Sequence, residues 1–92
     1  MVANITSPSP GQVVSNAQQI DIIGTAAFSP DQAEYYKVEL QGGPFPEFVT
    51  LGDVNNWRNR SGVTNGVLES IMANALPPGN YVVRLIVVQN GN

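Results

Sequence analysis

An all-β fold built from two packed layers is what this sequence predicts, and three observations carry the expectation. Tyr36, Val38 and Leu40 alternate with Tyr35, Lys37 and Glu39, the period-two pattern of a strand with one buried face. Glycine and proline, 9 and 7 of the 92 residues, cut the chain into segments of strand length. No window holds an apolar stripe at helical spacing over the roughly dozen residues a stable helix needs. The one short helical candidate, Ser70 to Ala75, is stopped by Pro77-Pro78.

The elements follow in order. Asn4 to Gly11 reads as an edge strand ending in a turn, because Pro8 and Pro10 remove ladder donors that only an edge can spare. Gln12 to Ser15 resumes that edge. Gln18 to Ala26 sets Ile20, Ile22, Gly24 and Ala26 on one face against Gln19, Asp21 and Thr25 on the other, and Ile23 interrupts the alternation. Phe28 to Gln32 is a loop turned by Pro30-Asp31. Tyr35 to Leu40 is the clearest strand, ended by Gln41-Gly42-Gly43-Pro44, and Phe48 to Leu51 is a short one after it. Gly52 to Gly62, rich in asparagine, reads as a surface loop. Asn65-Gly66 between Val63 and Val67 is a two-residue hairpin signal, with a strand from Val67 to Met72 beyond it. Tyr81 to Val88 is the last and most apolar strand. The expected core is Ile20, Ile22, Tyr36, Val38, Leu40, Leu76, Tyr81, Val83, Leu85 and Val87.

Composition bounds the function. Apolar residues are 42% of the chain, enough for one modest core, and charged residues only 12%. Four basic residues against seven acidic ones give a net charge of −3, which argues against a nucleic-acid binder or a basic membrane-surface segment. The longest apolar run, Tyr81 to Val88, contains Arg84 and falls far short of the roughly 20 residues of a membrane span. With no histidine and no cysteine, the chain can build no Ser-His-Asp or Cys-His nucleophile, no imidazole or thiolate metal site and no disulfide.

Leu76-Pro77-Pro78-Gly79-Asn80-Tyr81 followed by a long apolar strand has the form of a tyrosine corner at the E–F crossover of an immunoglobulin-like sandwich. There the ring packs inward and its hydroxyl bonds backbone upstream. Strands A, B, C, C′, E and F can be placed, about six in all. Gln89 to Asn92 is too short and polar for a seventh, G, beside Tyr81 to Val88. Val82, Ile86 and Val88 make that strand apolar on its second face too, as in a covered, central strand. Its free edge is therefore expected to meet another chain or another segment.

Ile5-Thr6-Ser7-Pro8, Gly11, Ile22-Ile23-Gly24-Thr25-Ala26 and Tyr35-Tyr36-Lys37-Val38-Glu39 together resemble an immunoglobulin/fibronectin-III-like repeat. Repeats of this kind occur at the C-terminus of bacterial bifunctional penicillin-binding proteins (transglycosylase–transpeptidases). Gly43, Pro46, Phe48, Leu51-Gly52, Asn65-Gly66-Val67-Leu68, Leu76 to Tyr81, Arg84-Leu85 and Gly91-Asn92 continue the resemblance over nearly the whole chain. It departs at Ile71, Met72 and Ala73, where the family usually has Trp-Asp-Thr, at Phe48 in place of a common Trp, and at Gln89 in place of a common Asp.

The resemblance implies a single immunoglobulin-like domain over residues 1–92, a fragment of a larger extracytoplasmic cell-envelope protein. Its role would be that of a non-catalytic accessory module, a spacer or a contact with the wall. Partners would be neighbouring domains, peptidoglycan or another envelope protein, or a second copy through the Tyr81–Val88 strand. No nucleic acid, membrane insertion or cofactor is expected. The transpeptidase signatures cannot lie here: Lys37 is the only lysine, Glu34 stands three residues before it and Val38 follows it.

Other functional readings rest on single residues. A carbohydrate-binding or adhesion module would use Tyr35 on the outer strand face and Phe45 and Trp57 in loops; the competing use of the latter two is to cover the ends of the sandwich. Glu39 and Glu47 are the one carboxylate pair that a hairpin could bring together, and two solvated surface acids are the simpler reading. Asp31, Glu34 and Asp53 could offer oxygens to calcium but lack the ligand-loop spacing. Asn4-Ile5-Thr6 and Asn59-Arg60-Ser61 fit the glycosylation triplet, which arises readily by chance.

Overall fold

Among the described residues, six strands and one turn of 3-10 helix make up the regular structure: β1 (Val2–Ser7), β2 (Gln19–Ala27), β3 (Ala33–Gly42), β4 (Phe45–Thr50), β5 (Val63–Met72), the 3-10 turn Ala73–Ala75, and β6 (Tyr81–Gln89). The computed structural model describes residues 1–14 and 19–91, so the expectations for Ser15, Gln18 and Asn92 lie outside the described residues. The strands form two antiparallel three-stranded sheets, β1-β2-β5 and β4-β3-β6, in a sandwich-like arrangement. Ile22, Ala26 and Leu68 of the first sheet meet Tyr36, Val38 and Leu40 of the second, with Leu51 beside them.

Alternation decides which face each strand buries. In β3, Tyr36, Val38 and Leu40 are buried and Tyr35, Lys37 and Gln41 are less so, as the sequence pattern requires. The expected core residues Ile20, Leu76, Tyr81, Val83, Leu85 and Val87 pack half-buried around Ile22, Tyr36, Val38 and Leu40. Ala26 is buried, as its place on the Ile20–Ile22 face requires, and Ala33, Leu51 and Leu68 are buried without having been singled out by pattern. The Tyr81 hydroxyl donates to the Pro77 carbonyl at 2.5 Å, tying the start of β6 to the bend before it.

Several boundaries differ from expectation, each for a physical reason. Asn65-Gly66 is not a hairpin turn but lies inside β5, where the register against β2 shifts between Gly24 and Ala26. Asn65 takes the left-handed conformation (φ 48°) that a bulge needs as much as a tight turn does. Its N–H donates to Thr25 Oγ1 at 3.0 Å, and that hydroxyl donates back to Asn65 Oδ1 at 3.3 Å. The break in alternation at Ile23 is a second register shift, which leaves Leu68 as the extra residue of β5. Phe45 is not in a loop: β4 begins there and runs through Pro46, which an edge strand tolerates. β1 ends at Ser7, and Gln12 to Val14 do not resume the edge as a strand.

Gly24 pairs with Ile5 across the β1–β2 ladder, where a Cβ would stand 2.1 Å from the Asn4 carbonyl oxygen and 2.9 Å from the Ile5 Cα. Backbone cannot give way as a flexible side chain would. Gly24→Ala is therefore expected to destabilise the fold by about 1–3 kcal/mol, read as a lower midpoint in urea unfolding. Tyr81→Phe removes only the bond to Pro77 and should cost about 1 kcal/mol, seen in the same measurement.

Candidate functional site

The outer face of β4-β3-β6 is where chemistry-bearing side chains gather, and β3 sets them out. Tyr35, Lys37 and Glu39 leave the strand away from the core, at successive outward positions. Glu39 pairs across the ladder with Arg84 of β6 and with Thr50 of β4. Its carboxylate accepts from Arg84 Nε at 2.6 Å and lies 3.3 Å from Lys37 Nζ. Arg84 in turn stacks on Phe48, 3.7 Å from the ring centroid. These neighbours leave Glu39 only 7% exposed, which corrects its reading as a solvated surface acid. Glu47, the other acid of that pair, is exposed on β4.

The Asn-rich segment between β4 and β5 is not a detached loop. Beyond the end of β4, Leu51 N–H donates to the Val38 carbonyl at 2.8 Å, and Tyr36 and Asn59 exchange both backbone bonds at 2.8 and 3.0 Å. The segment thus continues the edge of β3. Asn59 Nδ2 faces Tyr36 O and Trp57 O, each at 3.3 Å, and Glu69 Oε2 at 3.2 Å. Asn59 is directed inward, whereas the guanidinium groups of its neighbours Arg58 and Arg60 lie by the Tyr35 ring on the outer face.

Tyr35 and Trp57, two of the three expected ligand-contact residues, meet there. Their ring centroids are 5.7 Å apart at an interplanar angle of 84°, an edge-to-face pair. Trp57 therefore belongs to the outer face of β3 rather than serving as an end cap. The Arg58 guanidinium lies 4.0 Å from the Trp57 centroid and 5.6 Å from that of Tyr35. Lys37 Nζ is 5.7 Å from Trp57, and the Arg60 guanidinium 5.9 Å from Tyr35. All four basic residues of the chain lie on this face. Phe45 does not join them; it pairs with Gly42, roughly 20 Å along β3 from Tyr35, and packs against the core.

Arg58 and Arg60 are not among the expected ligand-contact residues, and Asn59 figures in the sequence only as part of a glycosylation triplet. The signal was present in Trp57-Arg58-Asn59-Arg60, whose arginines alternate as in a strand, but the surrounding asparagines and glycines read as loop. Glu69 was missed as well. It pairs with Ile22 across the first sheet, which directs a carboxylate toward the interior. Among the described residues, no three acidic side chains gather where a metal ion could be held. An open apolar cavity of about 870 Å³, lined by Ile5, Ile20, Leu40, Ile71, Leu76 and Val83 among others, lies elsewhere and holds none of the residues of the cationic face.

No protein-family model, curated protein or solved structure matches this chain.

Glu69, directed inward, and Glu39, shielded on the outer face by its two cations, titrate in opposite senses. Burial pushes the Glu69 carboxyl above its usual range and the nearby charge of Asp53 adds to this, against the hydrogen bonds from Asn59 and the Ser70 backbone. Burial would raise Glu39 too, but its bonds and charge pairing with Arg84 and Lys37 outweigh that and hold it low. A raised folded-state pKa gives stability present below the unfolded value and lost as pH rises through the folded one; a depressed pKa gives the reverse. Glu69→Gln, which keeps an acceptor for Asn59, should therefore melt at or above the parent temperature at pH 7. That advantage should vanish below the usual carboxylate range. Glu39→Gln should melt lower at pH 7, with the deficit closing as pH falls through the low Glu39 pKa. Thermal melts by circular dichroism across pH check both.

Proposed function

We propose that this chain is an immunoglobulin/fibronectin-III-like accessory module of a bacterial cell-envelope protein, of the kind carried at the C-terminus of bifunctional penicillin-binding proteins. It acts outside the cytoplasm, without catalysis of its own, as a spacer and as a contact with neighbouring domains, the wall or another envelope protein. The observation that carries the reading is the strand arrangement around β6. The first, second and fifth strands share one sheet and the fourth, third and sixth the other. The Tyr81–Pro77 bond sits at the crossover into β6, where a tyrosine corner belongs in such sandwiches.

The arrangement also leaves an interaction edge. Among the described residues β6 pairs with β3 alone, yet Ile86 and Val88 as well as Leu85 and Val87 are half-buried, and Val82 is 57% exposed. An apolar strand with one unpaired side favours pairing with a further strand. A second reading, a glycan-binding or adhesion module, is favoured by one observation: Tyr35 and Trp57, far apart in sequence, share a patch on an otherwise separate face.

Hydrogen exchange with light scattering tests the contact role. In the monomer, the β6 amides that point away from β3 should exchange much faster than their paired neighbours. They should slow when the chain self-associates or an adjoining domain is present. A clean monomer with all of β6 protected overturns the open-edge contact, and release of soluble fragments from purified peptidoglycan overturns the non-catalytic assignment.

A further inference from the structure

The chain carries a net charge of −3, yet its four cations share one face, so the local and overall fields have opposite sign. Lys37 and Arg84 are both engaged by Glu39. Among the described residues, Arg58 and Arg60 have no carboxylate within ion-pair distance, and both are exposed. We infer that the face formed by Tyr35, Trp57, Arg58 and Arg60, with Lys37 at its border, binds an acidic polysaccharide, a chain of sugars bearing carboxylates. This rests on the glycan-binding reading of the same patch and adds the charge of the ligand; it is independent of which parent protein carries the module.

The geometry favours that ligand class over its rivals. A guanidinium lying over an aromatic ring gives up little hydration and keeps its N–H fork free at the edges, ready for a bidentate carboxylate. The half-buried rings of Tyr35 and Trp57 add apolar surface beneath and beside the charge, which suits a sugar with C–H faces and a pendant carboxylate. A peptide joining the sheet by its backbone finds no purchase at this edge of β3, because the Tyr36 N–H and carbonyl are already taken by Asn59. A nucleic acid strand, with a phosphate about every 3.4 Å, demands a basic domain, and this one is acidic.

The test uses the purified chain and oligogalacturonate, with the fully methyl-esterified oligomer as its uncharged twin. Trp57 is the only tryptophan, so its fluorescence reports directly on the patch. The acid form should give a saturable change that weakens as salt rises, and the ester a much weaker one. Arg58→Ala/Arg60→Ala should lose roughly tenfold or more in affinity while melting at the parent temperature. Arg58→Lys/Arg60→Lys, which keeps the charge without the fork, should fall between. Equal binding of acid and ester overturns the inference while leaving a glycan-binding module standing; no change with either oligomer removes both. Oligoglutamate or oligo-dT binding as tightly as the oligogalacturonate also overturns it, in favour of a peptide or nucleic-acid partner.

Discussion

Successive side chains of an extended strand leave on opposite faces, and Ala33–Gly42 is the strand on which the rest of the molecule depends. Its inward residues, Tyr36, Val38 and Leu40, form one half of the core. Its outward residues, Tyr35, Lys37 and Glu39, lay out the cationic face. It is also the middle of its sheet, with β6 along one edge and β4 followed by Leu51 and Asn59 along the other. A one-residue slip in its pairing would turn the core residues outward and the charged ones inward. Fold and candidate site are therefore consequences of one register.

Tyr36 joins the two layers. Its ring is buried in the core, its backbone holds Asn59, and its hydroxyl donates to the Leu68 carbonyl of the opposite sheet at 2.8 Å. Burial raises the pKa of that hydroxyl, and the nearby charge of Glu69 raises it further, so it remains a donor at neutral pH. Asn59 closes the circuit by donating both to Tyr36 O and to Glu69 Oε2. A buried polar group left without a partner costs about 1–3 kcal/mol, so this small network fixes where the segment carrying Trp57, Arg58 and Arg60 can run. The arginines on either side of that asparagine lie on the outer face.

Much of this was legible in the sequence, and the failures share a cause. The alternation in Tyr35–Leu40 and the run from Tyr81 announced β3 and β6 because one buried face leaves a period-two trace. Asn65-Gly66 misled because the signal is a statement about a left-handed backbone, and a bulge inside a paired strand uses the same conformation as a hairpin turn. Phe45 and Asn59 misled for a related reason: proline, glycine and asparagine mark irregular composition, but an edge position still allows backbone pairing. Of the site, Tyr35 and Trp57 were visible as residues but not as neighbours. Glu39 looked solvated because nothing local shows that Arg84, 45 positions on, lies across the ladder from it. Long-range pairing supplies that knowledge, and sequence pattern alone does not.

The distribution of charge has a physical rationale of its own. Four cations on one sheet face would repel each other if left to themselves, and the protein manages this in two ways. At one end a single carboxylate, Glu39, serves both Lys37 and Arg84, with Phe48 stacked beneath the guanidinium. At the other end no carboxylate among the described residues joins an ion pair, and the quadrupoles of Tyr35 and Trp57 face Arg58 and Arg60 instead. A ring attracts a cation without neutralising it, so its charge stays available to an incoming anion. The Glu39 end of the face is thus electrostatically closed and structural, while the Trp57 end stays open. That difference, set by which partner each cation was given, separates a stabilising ion network from a surface able to recruit an anion.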